Sequence, residues 1–186
     1  MRKVQNFLEE QVYIKTTELR EEKELVDEQN KVIENKNQNI TSSIRYAKRI
    51  QEAILPPLEL ILSKVRNIFI LYKPKDIVSG DFYWFGEKNN YKIIGVVDCT
   101  GHGVPGGFMS MFGHNLLNQI VAEKGTTDPG TILNELHRGV QSAPKQGRNQ
   151  NQMHTNDGMD VALVALNTET RECLYAGAFR SLVIVS

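Results

Sequence analysis

Two aspartates stand where a carboxylate can do chemistry. Asp98 follows the apolar run Ile93-Ile94-Gly95-Val96-Val97 and precedes a glycine-laced turn, Cys99-Thr100-Gly101-His102-Gly103. Asp81 has Gly80 before it and Phe82-Tyr83-Trp84 after it. A carboxylate at a strand end is partly desolvated, and the glycines beside it let backbone approach a ligand closely. Two such groups on adjacent strands can share a hard divalent cation, and Mg²⁺ keeps several waters when only one or two carboxylates hold it. A cation there lowers the pKa of a bound water and neutralises charge on phosphoryl oxygens, so a phosphate ester can be hydrolysed without a nucleophilic side chain. The plainer alternative makes Asp81 a turn residue and Asp98 a helix cap, and spacing alone leaves both open. The Gly101–Gly107 loop has no Lys-Ser/Thr after its glycines, so it is not a P-loop.

The elements that must position these residues follow from the texture of the chain beyond Pro57. Leu58 to Val65 is short and apolar. Ile68 to Tyr72 and Asp81 to Phe85, rich in β-branched and aromatic residues, predict strands, and Tyr91 to Val97 predicts another that ends at Asp98. Val104 to Val121 carries Phe108, Met111, Phe112, Leu116, Leu117 and Ile120 at helical spacing, and Thr131 to Val140 predicts a second helix. A polar tract from 141 to 156 reads as a loop. Asp160 to Leu166, Glu172 to Ala176 and Leu182 to Val185 predict three more strands, the first two joined at Asn167-Thr168-Glu169-Thr170. Strands, two helices, then strands make an α+β pattern.

The first 55 residues are different. All 14 glycines lie at or after Gly80 and all 6 prolines at or after Pro56, so nothing in this stretch breaks a helix. An apolar residue recurs every seven positions, at Val12, Leu19, Val26, Ile33, Ile40, Ala47 and Ile54, the repeat that keeps one seam facing a partner helix. Its companion positions are weaker, with Lys15, Glu22, Gln29, Lys36 and Ser43 before the first apolar one, Ile50. A helix of about 50 residues is roughly 75 Å long, more than a small domain covers, so the expectation is a metastable dimeric coiled coil. Pro56-Pro57 ends it.

Composition excludes other classes. In 186 residues, Lys+Arg 22 balances Asp+Glu 22, so no net basic field attracts nucleic acid or an anionic membrane. No apolar run is long enough to cross a bilayer. The N-terminus lacks an apolar leader core, and two cysteines, Cys99 and Cys173, make no disulfide framework, which predicts a cytoplasmic chain with reduced thiols.

The runs YKPKDIVSGDFYWF (72 to 85), VVDCTGHGVPGGFMSMFGHNLLNQIV (96 to 121) and DGMDVALVAL (157 to 166), in this order, closely resemble the SpoIIE-like branch of the metal-dependent (PPM) serine/threonine protein phosphatases. ITSSIRYAKRIQEAILPP (40 to 57) is similar to the helical linker that joins a sensor module to the phosphatase domain in many relatives, so the resemblance covers about residues 40 to 186. It implies an αββα sandwich, here incomplete. Residues 1–57 would be the coiled-coil linker and 58–186 the N-terminal portion of the phosphatase domain. It further implies a two-metal Mn²⁺ or Mg²⁺ centre held by Asp81, by a bridging Asp98 and by the backbone carbonyl of Cys99, the Cys99 side chain being packing. His102 is a candidate proton donor to the leaving serine oxygen, its ordinary pKa lying near neutrality, with a turn-stabilising role as the alternative. Asp160 reads as structural, and Trp84 and Tyr83 as core.

In that family the domain continues past the YAGA-like segment, here Tyr175 to Ala178, to two further acidic segments that complete the metal centre; no acidic residue follows Glu172 in this sequence. The implied function is hydrolysis of phosphoserine or phosphothreonine in a phosphoprotein, under control of an upstream sensor module or protein, by a homodimer. The alternative is a non-catalytic dimeric interaction or regulatory protein built on an incomplete phosphatase domain.

Overall fold

The computed structural model describes residues 2–142 and 158–185. Helix α1 runs Arg2–Ile54 without interruption, as the absence of glycine and proline requires, and stops just before Pro56. The chain divides into two compact units inside this helix, Met1–Ser43 and Ile44–Ser186.

In the first unit the seam residues are open to solvent: Val12, Leu19, Val26, Ile33 and Ile40 are all exposed. Their charged neighbours pair along the helix, Lys15 with Glu18 at 2.6 Å and Arg20 with Glu24 at 3.6 Å. Such exposed pairs each add a few tenths of a kcal/mol at most.

The second unit is built on one antiparallel sheet in the order β1-β2-β3-β4, with β1 Phe82–Lys88, β2 Tyr91–Cys99, β3 Met159–Asn167 and β4 Cys173–Ala178. Two-residue periodicity sorts the faces. Phe82, Trp84, Ile93, Val97, Val161, Leu163 and Ala165 point to the buried side. There they pack with Leu117, Ile120, Val121, Ile132 and Leu136. Those residues come from α3 (Gly103–Asn118), a π-helical turn that continues it (Gln119–Glu123), and α4 (Pro129–Ser142). Asp128 caps α4, its Oδ1 accepting from the Thr131 N–H at 2.8 Å and hydroxyl at 2.6 Å.

The α+β class and the four strands around Asp81, Asp98, Asp160 and the YAGA-like segment stand as the sequence predicts. Trp84 is core, 1% exposed, its indole N–H donating to Asn118 Oδ1 at 2.9 Å. Two expected strands are absent: 68–72 and 182–185 have no regular structure. Their β-branched and aromatic residues suit a sheet, but neither segment has a strand beside it to complete a ladder, and Phe69 and Val185 remain largely exposed. Leu58–Lys64 is instead a short helix, α2. The sheet carries helices on one face; its other face presents Tyr83, Ile94, Val96 and Val164. A second sheet, which a sandwich requires, does not occur among the described residues. The polar tract loses its first two residues, Gln141 and Ser142, to α4, and its remainder lies outside the described residues.

The stripe expected on α3 is also revised. Its buried face is made of Gly106, Gly107, Ser110, Gly113 and Leu117, while Phe108 is 67% exposed. Small residues win because this face approaches its neighbours too closely for large ones: a Cβ on Gly106 would lie 2.6 Å from the Gly101 carbonyl, one on Gly107 3.3 Å from Val78, and one on Gly113 2.8 Å from the Met159 thioether.

Candidate metal site and its supports

The two aspartates are brought together by backbone packing. A Cβ on Gly80 would lie 2.8 Å from the Gly101 carbonyl and 3.0 Å from that of Cys99, and one on Gly106 would lie 2.6 Å from the Gly101 carbonyl. The segment before Asp81, the turn after Asp98 and the first turn of α3 therefore touch backbone to backbone, which only glycine permits. Gly101 itself has φ +90, a left-handed turn.

Asp81 precedes β1 and Asp98 lies one residue from the end of β2, so the strand pairing Phe82↔Val97 sets their carboxyl groups beside each other. The Asp81 carboxyl is raised above the usual carboxylate range, first by loss of solvent, then by Asp98 as hydrogen-bond partner and as like charge, with Arg180 opposing. A carboxyl raised by a second carboxylate beside it marks a site that favours added positive charge.

Asp160 joins them. It is the cross-strand partner of Asp98, and both side chains bond to Arg180, Asp98 in close contact and Asp160 at 3.3 Å. Thr100 fastens the ends of these two strands: its N–H donates to the Gly158 carbonyl at 3.0 Å, and its Oγ1 accepts from the Gly158 N–H at 2.9 Å.

The Cys99 thiol is buried and points to the core, its pKa pushed up to about 12 by burial and then by the two aspartates. Its side chain belongs to the core cluster. The Cys99 carbonyl faces Gly80. His102 lies outside this cluster of contacts: its side chain is 84% exposed, and Nδ1 pairs with Asp76 Oδ2 at 3.1 Å just before α3.

Gln51 and Arg180 are the residues the sequence reasoning missed. Gln51 is 4% exposed, and its amide donates to the Ser79 carbonyl at 2.6 Å and to Ser110 Oγ at 2.7 Å, while its Oε1 accepts from the Ser79 N–H at 3.0 Å. Ser79 Oγ in turn accepts from the Asp81 N–H at 3.0 Å, and the Tyr72 hydroxyl donates to the Asp81 carbonyl at 3.2 Å. Asp81 is thus held from both sides of its peptide. A lone basic residue in the mostly apolar stretch Phe179 to Val185 was the available signal for Arg180.

Oxygen donors at adjacent strand ends suit a hard cation that retains water, so the residues fit Mn²⁺ or Mg²⁺ at Asp81 and Asp98. Among the described residues, no group of three or more His, Cys, Asp or Glu side chains forms a closed metal cage. Below the carboxylates, a groove bounded by Phe69, Leu71, Tyr72, Tyr83, Val96 and Arg180 runs along the open face of the sheet.

The chain is similar to the solved SiaA-PP2C domain of Pseudomonas aeruginosa, at 37% identity and a TM-score of 0.64, over 76% of this chain and 55% of that one. The chain thus spans about half the length of the domain it matches. No protein-family model matches the sequence, and no curated protein does. No helix among the described residues is long and apolar enough to cross a membrane.

Proposed function

We propose that residues 58–186 are the N-terminal portion of a PP2C-type, metal-dependent serine/threonine phosphatase domain of the SpoIIE-like branch, acting on a phosphoprotein in a cytoplasmic signalling route. The observation that carries this reading is the meeting of Asp81 and Asp98 at adjacent strand ends, in a chain 37% identical to a PP2C domain. The chain spans 55% of that domain, and in this reading the remaining carboxylates of a two-metal centre would belong to the part of such a domain that this chain does not match.

In this reading Asp81 and Asp98 hold Mn²⁺ or Mg²⁺, with the Cys99 carbonyl as a further ligand. The bound metal supplies an activated water and neutralises phosphoryl charge. The chain's own work is positional. Ser79 and Tyr72 fix the Asp81 peptide, Thr100 fixes the strand end that carries Asp98, and the glycine contacts set the spacing between the two. His102, exposed and paired with Asp76, is the proposed proton donor to the leaving serine oxygen. Residues 1–57 are the dimerising linker through which an upstream module acts.

The test is Mn²⁺-dependent phosphate release from a phosphoserine peptide by a chain extended to the length of the matched domain. Asp81→Asn and Asp98→Asn should each lower the rate by at least about a hundredfold, as loss of a charge-stabilising group in a water-excluding site does. Activity indifferent to Asp98→Asn rejects the assignment. A non-catalytic dimeric regulator is the second reading, favoured by the absence of a three-ligand cluster among the described residues; a folded extended chain that binds no Mn²⁺ selects it.

A further inference from the structure

Asp98 and Asp160 face each other directly across β2 and β3. Like charges in that position destabilise a sheet, so something must offset them. The guanidinium of Arg180 does, reaching both carboxylates with one nitrogen.

The backbone is bent to deliver it. Phe179 takes a left-handed conformation, φ 57, which is unusual for an aromatic residue, and its own ring gains nothing by it, being 93% exposed. The residue forms a parallel bridge to Val161, next to Asp160. The Tyr175 hydroxyl donates to the Arg180 carbonyl and anchors the turn. Gly177 makes room for it, since a Cβ there would collide with both that carbonyl and that hydroxyl. Three features therefore converge on the placement of one cation.

We propose that Arg180 is a built-in counter-ion of the aspartate site: its guanidinium bridges Asp98 and Asp160 when no metal is bound and competes with a divalent cation for Asp98. The proposal rests on the reading of Asp81 and Asp98 as a metal site. A basic side chain suits the role because its charge persists at physiological pH and one of its nitrogens can lie between two carboxylates. Displacement is feasible because the contact is half open to water, with 45% of the Arg180 side chain and 49% of the Asp98 side chain exposed, which screens the pair. Metal uptake then requires Arg180 to leave Asp98, a step set by this chain's own C-terminal turn.

The experiment is titration of the 186-residue chain with Mn²⁺ alone, following the free ion by electron paramagnetic resonance, for wild type, Arg180→Gln, Arg180→Lys and Tyr175→Phe. Arg180→Gln should bind Mn²⁺ about fivefold more tightly, the equivalent of one half-exposed ion pair. Arg180→Lys should stay within about twofold of wild type on the same scale, and Tyr175→Phe, which frees the turn but keeps the charge, should tighten binding less than the Gln variant does. Circular dichroism reports the fold of each; if Arg180→Gln does not fold, Tyr175→Phe decides alone. Equal or weaker binding in the folded Gln variant, or unchanged binding in Tyr175→Phe where it alone decides, overturns the counter-ion role while leaving the metal site standing. No binding by any of the four at millimolar Mn²⁺ overturns the metal reading itself, and the proposal with it.

Discussion

The side-chain amide of Gln51 is bonded to both the N–H and the carbonyl of Ser79, as a neighbouring strand would be, although the two residues are 28 apart in sequence. It reads the backbone two residues before Asp81, so the last turns of α1 and the metal-site segment belong to one hydrogen-bonded unit. Gln51→Ala would leave the Ser79 peptide groups and Ser110 without this partner inside the protein. Each buried group left unpaired costs about 1–3 kcal/mol, so the chain should lose roughly 2–4 kcal/mol in urea unfolding. A loss below about 0.5 kcal/mol would show that water replaces the amide and that Gln51 holds nothing in place.

Glycine spacing gives a second test with its own control. Gly106→Ala puts a Cβ 2.6 Å from the Gly101 carbonyl, a backbone atom that cannot turn aside, and such overpacking costs about 1–3 kcal/mol. Gly130→Ala, in the first turn of α4, meets only the Asp128 carboxylate at 3.5 Å. There the gain in helix propensity, up to about 1 kcal/mol, should be kept. Both substitutions are glycine to alanine in a helix, so opposite signs of the change in stability isolate the contact. Equal signs would remove the argument that the turn after Asp98 needs a glycine on α3.

The coiled coil is tested by solution mass. Ile33 and Ile40 are more than half exposed in the single chain, and the seven-residue seam predicts that a second copy covers them. Sedimentation should show a dimer for the wild-type chain at high micromolar concentration and a monomer for the double variant Ile33→Asp, Ile40→Asp. Burying two carboxylates in an apolar seam costs several kcal/mol. A wild-type monomer at that concentration ends the dimer proposal.

That Asp81 and Asp98 come together was legible because the residues around them are informative locally: Gly80 beside Asp81, a glycine-laced turn after Asp98, and a strand after the one and before the other. Trp84 was legible as core for the same reason. Arg180 was not, since its partner Asp98 is 82 residues away and a lone basic residue in a mostly apolar stretch does not identify its partner. Gln51 was hidden by the heptad pattern, which assigns Ala47 and Ile54 to the seam and leaves a glutamine between them looking like solvated surface. The expected strands at 68–72 and 182–185 failed for a different reason: side-chain preference describes how well a residue suits a sheet but cannot supply the neighbouring ladder. Phe108 was misplaced because periodicity weighs size and polarity, whereas the buried face of α3 was chosen by closeness.

A histidine network sets the pH behaviour of the core. The Trp84 indole N–H can only donate, so it fixes the Oδ1 of Asn118 toward itself and turns the Asn118 amide nitrogen toward His114, 3.3 Å from Nδ1. That nitrogen must therefore be the bare acceptor of a neutral imidazole. Burial against Phe82 pushes the His114 pKa below its ordinary value of 6.5. A histidine with a lowered folded pKa binds fewer protons folded than unfolded, so stability rises with pH through that window and is lost as pH falls below about 6.5 toward the folded value. Protonation then also turns the Asn118 contact from donor–acceptor to donor–donor. His114 is only about half buried, so solvent screening limits the effect, and about 0.5–1 kcal/mol is expected, near 2 °C in midpoint for a domain of this size. Thermal melts of the metal-free chain at pH 7.5 and pH 5.5 should show this extra drop in wild type and not in His114→Gln, whose amide cannot take up the proton. If the two proteins lose the same midpoint between these pH values, His114 is charged or solvated in the folded state and the network from Trp84 is not what sets acid stability.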